Sequence, residues 1–273
     1  MLRAKTPDGW ILIRHPDHAA LAGEFAARWG NPAFRPPEPA ADVLEGIRRH
    51  DDGWAARDER PVVTRQGRPS AFGADLVGKY TAFEEIDLPD YLGVRGRALE
   101  IVAHDNPYAA ILISRHTCNL LTEHADRSTL QPDQLPLLDA FVAAQRHRQL
   151  ELRAECAARG IYRDEDLSFD RLTEHFRVLQ ACDNLSLLAC VDFAGPATLL
   201  HPLPLNGGGK QTVDVVRVGP RIFRLLPWPF SGKHHAFTFP GRALRGDTFA
   251  SAAELQEAYR AGEPVTLTVE LFP

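Results

Sequence analysis

The run Val178-Leu179-Gln180-Ala181-Cys182-Asp183-Asn184-Leu185-Ser186-Leu187-Leu188-Ala189-Cys190 constrains the fold more than any other stretch of the chain. It closes a helical pattern that begins near Phe169. A helix apolar on nearly all sides must be enclosed by other elements rather than laid on a surface. Yet this one carries Asp183, four residues after Leu179 and four before Leu187, so its face is apolar in both directions. A carboxylate in such a place has to be hydrogen-bonded to a cap, paired with a cation, or bound to metal. Taken by itself, Asp183 leaves those three alternatives open.

Around this helix the chain divides by texture. Two extended stretches, Met1–Lys5 and Trp10–Arg14, flank Pro7-Asp8-Gly9, a hairpin signal. Helical spacing follows over Pro16–Trp29, where Leu21, Phe25 and Trp29 mark a buried stripe and Gly30 gives the stop. Four prolines make residues 31–39 a loop. Further helices are expected at Ala40–Asp51, Tyr91–His104, from Pro107 to about Leu121, over 132–159 and over Phe169–Cys190. Residues 55–90 read as turn-rich. After Ala194 the spacing becomes that of strands at Thr212–Val218, Arg221–Leu226, His235–Phe239 and Val265–Phe272, with one helix at Ala252–Ala261. The fold class expected is therefore mainly α, with an N-terminal hairpin and a β-rich C-terminal section. The division falls between residues 1–193 and 194–273, the second part able to join the same domain if the hairpin pairs with the C-terminal strands.

Thirty-one Lys and Arg against 36 Asp and Glu give a formal net charge of -5, so a general nucleic-acid or anionic-membrane binder is not expected. No apolar run approaches the ~20 residues of a membrane span. The N-terminus lacks the basic stretch, apolar core and cleavage site of a secretion signal. Cys118, Cys156, Cys182 and Cys190 show neither CxxC nor disulfide spacing, and a reducing cytoplasm is the simplest setting.

Histidines supply a complement to Asp183. His18 shares the face of Leu21 and Phe25. His50 follows Val43 by seven residues and Ile47 by three, and Asp51 follows Ile47 by four. His116 lies midway between Leu112 and Leu120, four residues from each. On inward faces these groups make a mixed nitrogen and oxygen donor set. The order of His18, the pair His50-Asp51 and a late Asp183 resembles that of the HD superfamily of metal-dependent phosphohydrolases. The segments Pro16-Asp17-His18-Ala19, His50-Asp51-Asp52-Gly53-Trp54, Ser114-Arg115-His116 and Ala181-Cys182-Asp183-Asn184-Leu185-Ser186 are similar to an uncharacterised bacterial family of HD-like proteins. The resemblance spans about residues 16–190. It implies an HD-like helical domain, a metal held by His18, His50, Asp51 and Asp183, and hydrolysis of a phosphate ester such as a nucleotide or small phosphorylated metabolite.

Two imidazoles and two carboxylates suit Mn²⁺, Fe²⁺, Ni²⁺, Co²⁺ or Zn²⁺, as one ion or two. His116 is the candidate second-metal ligand or phosphoryl hydrogen-bond donor, with His104 and His124 as weaker choices. Asp52 is the candidate proton acceptor, and Arg115, Arg49 and Lys79 are the candidate cations aimed at the phosphate. His175 is expected either behind Asp183 or at the surface. Gly207-Gly208-Gly209-Lys210 lacks Walker spacing and reads as a turn, and no Gly-x-Ser-x-Gly is present. Two rival functions belong with the same residues: a non-catalytic ligand-binding or sensor module, and a di-iron oxygenase. The C-terminal strands are expected to cover the cleft or to form a homodimer contact.

Overall fold

The computed structural model describes residues 1–79 and 87–273. The turn-rich stretch expected over 55–90 includes residues 80–86, which lie outside the described residues. The chain begins with the hairpin β1 (Leu2–Thr6) and β2 (Gly9–Ile13), whose register pairs Thr6 with Gly9 at the turn. Helices α1 (His15–Ala26) and α2 (Ala40–Arg48) follow. Next come a 3-10 turn at Asp52–Trp54, the single-turn helix α3 (Ala55–Asp58) and the short strand β3 (Phe72–Gly73). Four longer helices then succeed one another: α4 (Leu88–Ala103), α5 (Pro107–Asn119), α6 (Leu135–Arg159) and α7 (Phe169–Cys190). The remainder holds β4 (Ala197–Thr198), β5 (Leu203–Pro204), β6 (Lys210–Gln211), β7 (Asp214–Gly219), β8 (Ile222–Leu226), β9 (His235–Arg245), α8 (Ala252–Ala261) and β10 (Glu263–Phe272).

Helix ends follow local chemistry. Asn106 caps α5 by accepting from the Ala109 amide at 3.0 Å, with Pro107 in the first turn, where its missing N–H costs nothing. Ser168 caps α7 by accepting from the Arg171 amide at 3.2 Å. Gly160 ends α6 in the left-handed region at φ 66°, a conformation that a Cβ disfavours.

The mainly α, HD-like helical class expected from the sequence is overturned. The described structure is about 47% helix and 21% strand, and its strands form one eight-stranded mixed sheet curled into a half-barrel, so the class is mixed α/β. The strand order is β3-β1-β2-β9-β10-β8-β7-β4, which brings the N-terminal hairpin into the middle of a sheet whose other half comes from the far end of the chain. Strand β9 has 11 residues and does not stop at Phe239: it continues through Pro240 and Gly241 and uses its later part, Arg242–Arg245, to pair with β2. Sequence periodicity alone hides that extension, because Pro and Gly interrupt the strand pattern. Here Gly241 leaves space that a Cβ would contest with Ile11 and Leu267.

A single large core joins helices and sheet. It includes Leu2 and Ile13 from the hairpin, Phe25 and Ile47 from α1 and α2, Leu179 and Leu185 from α7, and Phe223, Phe239 and Leu271 from the C-terminal strands. Phe25 meets Phe237 of β9 edge-on at 5.0 Å, which ties α1 to the sheet. Helix α7 packs on α1, α2 and α5. Between Val178 and Cys190 only Asn184 and Leu187 retain partial exposure, as the all-round apolar pattern requires. No described helix is long and apolar enough to cross a membrane.

Candidate metal centre

Four elements deliver the polar residues. His18 stands on the first turn of α1, His50 and Asp51 follow the end of α2, His116 is on α5, and Asp183 is on α7. All five are buried, with at most 6% of any residue exposed. The turn after Asp51 is pressed against α4: a Cβ on Gly53 would stand 2.4 Å from the Val94 carbonyl oxygen. Only glycine permits that approach, and it brings α4 within reach of the Asp51 carboxylate.

Hydrogen bonds to protein fix the faces of two imidazoles. His50 Nδ1–H donates to the Ile47 carbonyl oxygen at 2.7 Å, one of the acceptors left open where α2 ends. The Ser186 hydroxyl donates to the Asp183 carbonyl at 2.8 Å, so its oxygen accepts from His18 Nδ1–H at 2.9 Å. In each neutral ring the other nitrogen, Nε2, then carries a lone pair. Those nitrogens face carboxylates: His18 Nε2 is 3.1 Å from Asp51 Oδ2, in hydrogen-bond alignment if the ring carries a proton there, and His50 Nε2 is 3.3 Å from Asp183 Oδ1 without such alignment. Acceptor facing acceptor in a dry interior is unfavourable unless a proton or a metal cation lies between them.

Without metal, a proton takes that place at His50. Burial alone lowers its pKa, but the Asp51 and Asp183 carboxylates outweigh burial and raise it to about 9. Burial pushes Asp183 up, and the protonated His50 beside it reverses this by its charge and holds it at about 2. Asp51, also opposed by burial, is held well below the carboxylate range by Arg95 and His50. His116 goes the other way: burial pushes it down to about 3. Its Nε2 is 3.9 Å from Asp183 Oδ2, and its Nδ1 is buried without a partner.

The donor atoms form two triads that share His50. His18, His50 and Asp51 make one, and His50, His116 and Asp183 the other, with each set's ligand atoms lying within 4.8 Å of one another. These buried His/Asp clusters can bind a metal ion. Asp183 spans both groups: Oδ1 faces His50 and, at 3.8 Å, His18, while Oδ2 faces His116.

Arg95 was not picked out by the sequence reasoning. Its Nη1 donates to Asp51 Oδ1 at 2.6 Å, and its guanidinium lies over the Trp54 and Tyr91 rings at 5.3 and 5.4 Å. Burial would lower the Arg95 pKa, but neighbours that include Asp51 raise it above the ordinary arginine value. The available signal was its position midway between Tyr91 and Leu99, four residues from each on the inward face. Ser186 and the pair His15–Asp58 were missed as well. His15 Nδ1 is 2.9 Å from Asp58 Oδ1, and the ring stacks on Trp54 at 4.7 Å, one helical turn before His18.

The other candidates lie elsewhere. Asp52 is engaged by Arg49 Nε at 2.8 Å, and Arg49 is also held by Glu45 at 3.0 Å. Arg115 turns toward the start of α7, donating to Thr173 Oγ1 at 3.0 Å and lying over the Phe169 ring. Lys79 is exposed, in the turn after Ala74–Leu76. His104 is exposed beside Asp105, whereas His124 is half-buried at the end of the π-helical turn that prolongs α5. His175 is buried, its Nδ1 2.8 Å from the Tyr108 hydroxyl, which also donates to the Asp166 carbonyl.

Two of these histidines set an acid limit on stability. Burial depresses His15 to about 4 and His175 to about 3, against 6.5 ordinarily. The unfolded chain therefore takes up protons on these rings that the folded chain refuses. Their contribution is fully present above pH 6.5 and drains away as pH falls toward 4. Thermal melts between pH 7 and 4 should show Tm falling steadily, with a shallower slope for His175→Gln; a flat wild-type profile would contradict the buried neutral rings.

The fold and the site together define a class: a mixed α/β protein with an internal His/Asp centre able to hold a metal ion. Residues 1–246 match the family described as protein of unknown function (DUF3891), and the chain belongs to that family. No curated protein and no solved structure gives a significant match.

Proposed function

We propose that this protein is a metal-dependent hydrolase of a phosphate ester, acting on a nucleotide or another small phosphorylated metabolite. The observation that carries the reading is the pair of imidazole Nε2 atoms, on His18 and His50, each turned toward a carboxylate by a protein hydrogen bond behind it. Hydrogen bonding to the far ring nitrogen is the arrangement that orients metal-binding histidines. The ordered set His18, His50-Asp51 and Asp183 resembles that of HD phosphohydrolases, which supplies the reaction class.

His18, His50, Asp51 and Asp183 would hold the ion, with His116 available to a second or to the phosphoryl group. Mn²⁺, Fe²⁺, Ni²⁺, Co²⁺ and Zn²⁺ all suit these donors. A bound ion would activate water and polarise the phosphoryl oxygen. Arg95 occupies Asp51 Oδ1 and leaves Oδ2 on the imidazole side, so that carboxylate offers one oxygen in a fixed direction. His116, kept neutral by burial, is suited to hydrogen-bond a phosphoryl oxygen or to donate a lone pair.

A second reading, a non-catalytic module that holds a metal, is favoured by the burial of all five side chains. Elemental analysis of the purified protein, followed by a panel of phosphate esters assayed with added Mn²⁺, Co²⁺ and Ni²⁺, separates the two. Hydrolysis that a chelator stops and metal restores is the expected result. Bound metal without turnover favours the second reading, and absence of metal under all conditions removes both.

A further inference from the structure

We infer that the face of α7 beside Asp183 carries an oxyanion subsite, anchored by Arg177 with Asn184, that takes a phosphate group. Arg177, Gln180 and Asn184 recur at three and four residues and share one stripe of the helix, and Asp183 borders it. Unlike the metal centre, this stripe reaches the surface at both ends: Arg177 and Asn184 are half-buried.

Arg177 is the unusual member. Every arginine near the metal centre is engaged, Arg95 by Asp51 and Arg115 by Thr173. Arg177 has neither an ion pair nor a hydrogen bond among the described residues, and its Nη1 is buried without an acceptor. A guanidinium cannot shed its proton, so a partly desolvated one without a counter-ion lacks an anion. Asn184 Oδ1 is likewise buried and unpartnered. An orphaned carbonyl oxygen would repel an anion, but a half-turn of the amide exchanges its two ends and presents the NH2 donors to a phosphate oxygen.

Further observations connect the stripe to neighbouring elements. His201 sits at φ 65°, in the left-handed region that few non-glycine residues adopt, and its Nε2 contacts Gln180 Oε1. Gln180 Nε2 in turn donates to Asn119 Oδ1 at 2.8 Å, one turn beyond His116 on α5. Helix α5 then loosens into the π-helical turn Leu120–His124, an irregularity that recurs at functional sites. Burial lowers the His201 pKa first, and the positive charge of Arg177 lowers it further, so the guanidinium acts on this ring. The polar path Asn119–Gln180–His201 thus links the α5 turn after His116 to the stripe that carries the unpartnered Arg177.

The shared ligand chemistry is a tetrahedral phosphate dianion, either the substrate's phosphoryl group or free phosphate. As a substrate subsite it rests on the hydrolase reading; as an anion site it does not. Isothermal titration with inorganic phosphate and with phenylphosphonate, an unreactive monoester mimic, tests it on the full chain, with metal content measured on the same samples. Arg177→Gln should weaken binding of the probe by about tenfold or more, Arg177→Lys should retain more of it than Arg177→Gln, and metal content should stay as in wild type. Binding of both probes marks the substrate group, and binding of inorganic phosphate alone marks free phosphate. Equal affinity in wild type and Arg177→Gln, or no affinity in wild type, overturns the subsite. Arg177-dependent phosphate binding by a protein that takes up no metal would sustain the subsite while removing the hydrolase reading.

Discussion

Asp183→Ala should empty the centre of metal. Asp183 is the one carboxylate whose two oxygens serve both triads, with Oδ1 toward His50 and His18 and Oδ2 toward His116. Its removal leaves three imidazoles sharing a dry pocket with Asp51 alone, and Asp51 already spends one oxygen on Arg95. Metal content by elemental analysis should drop to background. The metal-free protein should also lose about 3–5 kcal/mol, the cost of leaving one member of a buried charged pair without its partner. Asp183→Asn keeps the volume and removes the charge, so it separates loss of ligation from loss of packing. Wild-type metal stoichiometry in both variants would refute the assignment of Asp183.

Arg95→Ala should be the most destabilising change outside the ligands. The guanidinium makes a 2.6 Å charge-assisted bond to Asp51 and covers two aromatic faces. Truncation strands the Asp51 carboxylate in the interior and opens a gap beside Trp54. A loss of about 3–5 kcal/mol corresponds to a fall of about 10 °C in Tm for a chain of this size. Arg95→Lys should recover little, because an ammonium has neither the planar fork for the carboxylate nor the flat face for Trp54 and Tyr91. Melting of the metal-free Arg95→Ala protein at the wild-type temperature would show that the pair does not hold Asp51.

The sequence made some of this legible and hid the rest for identifiable reasons. Helix positions were readable because punctuation agrees with periodicity, as at Asn106-Pro107 and Gly160. The donor set was readable because charged groups on apolar faces are rare enough to stand out: His18, His50, Asp51, His116 and Asp183 do come together. The cations were harder. Arg115 adjoins His116 in sequence, but neighbours on a helix diverge by about 100°, and it turns to Thr173 instead. Arg95 was overlooked because α4 is only moderately apolar around it, so an inward arginine does not contrast with its neighbours. The balance of fold class was misjudged because strand pairing is non-local: nothing within Leu2–Ile13 says that its partner is Arg242–Arg245.

That pairing has a consequence for how the chain is made. Trp10 lies opposite Leu244, so the hairpin leaves the ribosome long before the strand that flanks it. All five residues of the centre, from His18 to Asp183, are likewise synthesised before β7 to β10. The helices can assemble around a cation while the half-barrel is still unfinished, and the last strands then shut the interior from outside. Such late closure is slow by topology and leaves the β2 edge bare on the nascent chain, an invitation to intermolecular pairing until β9 arrives.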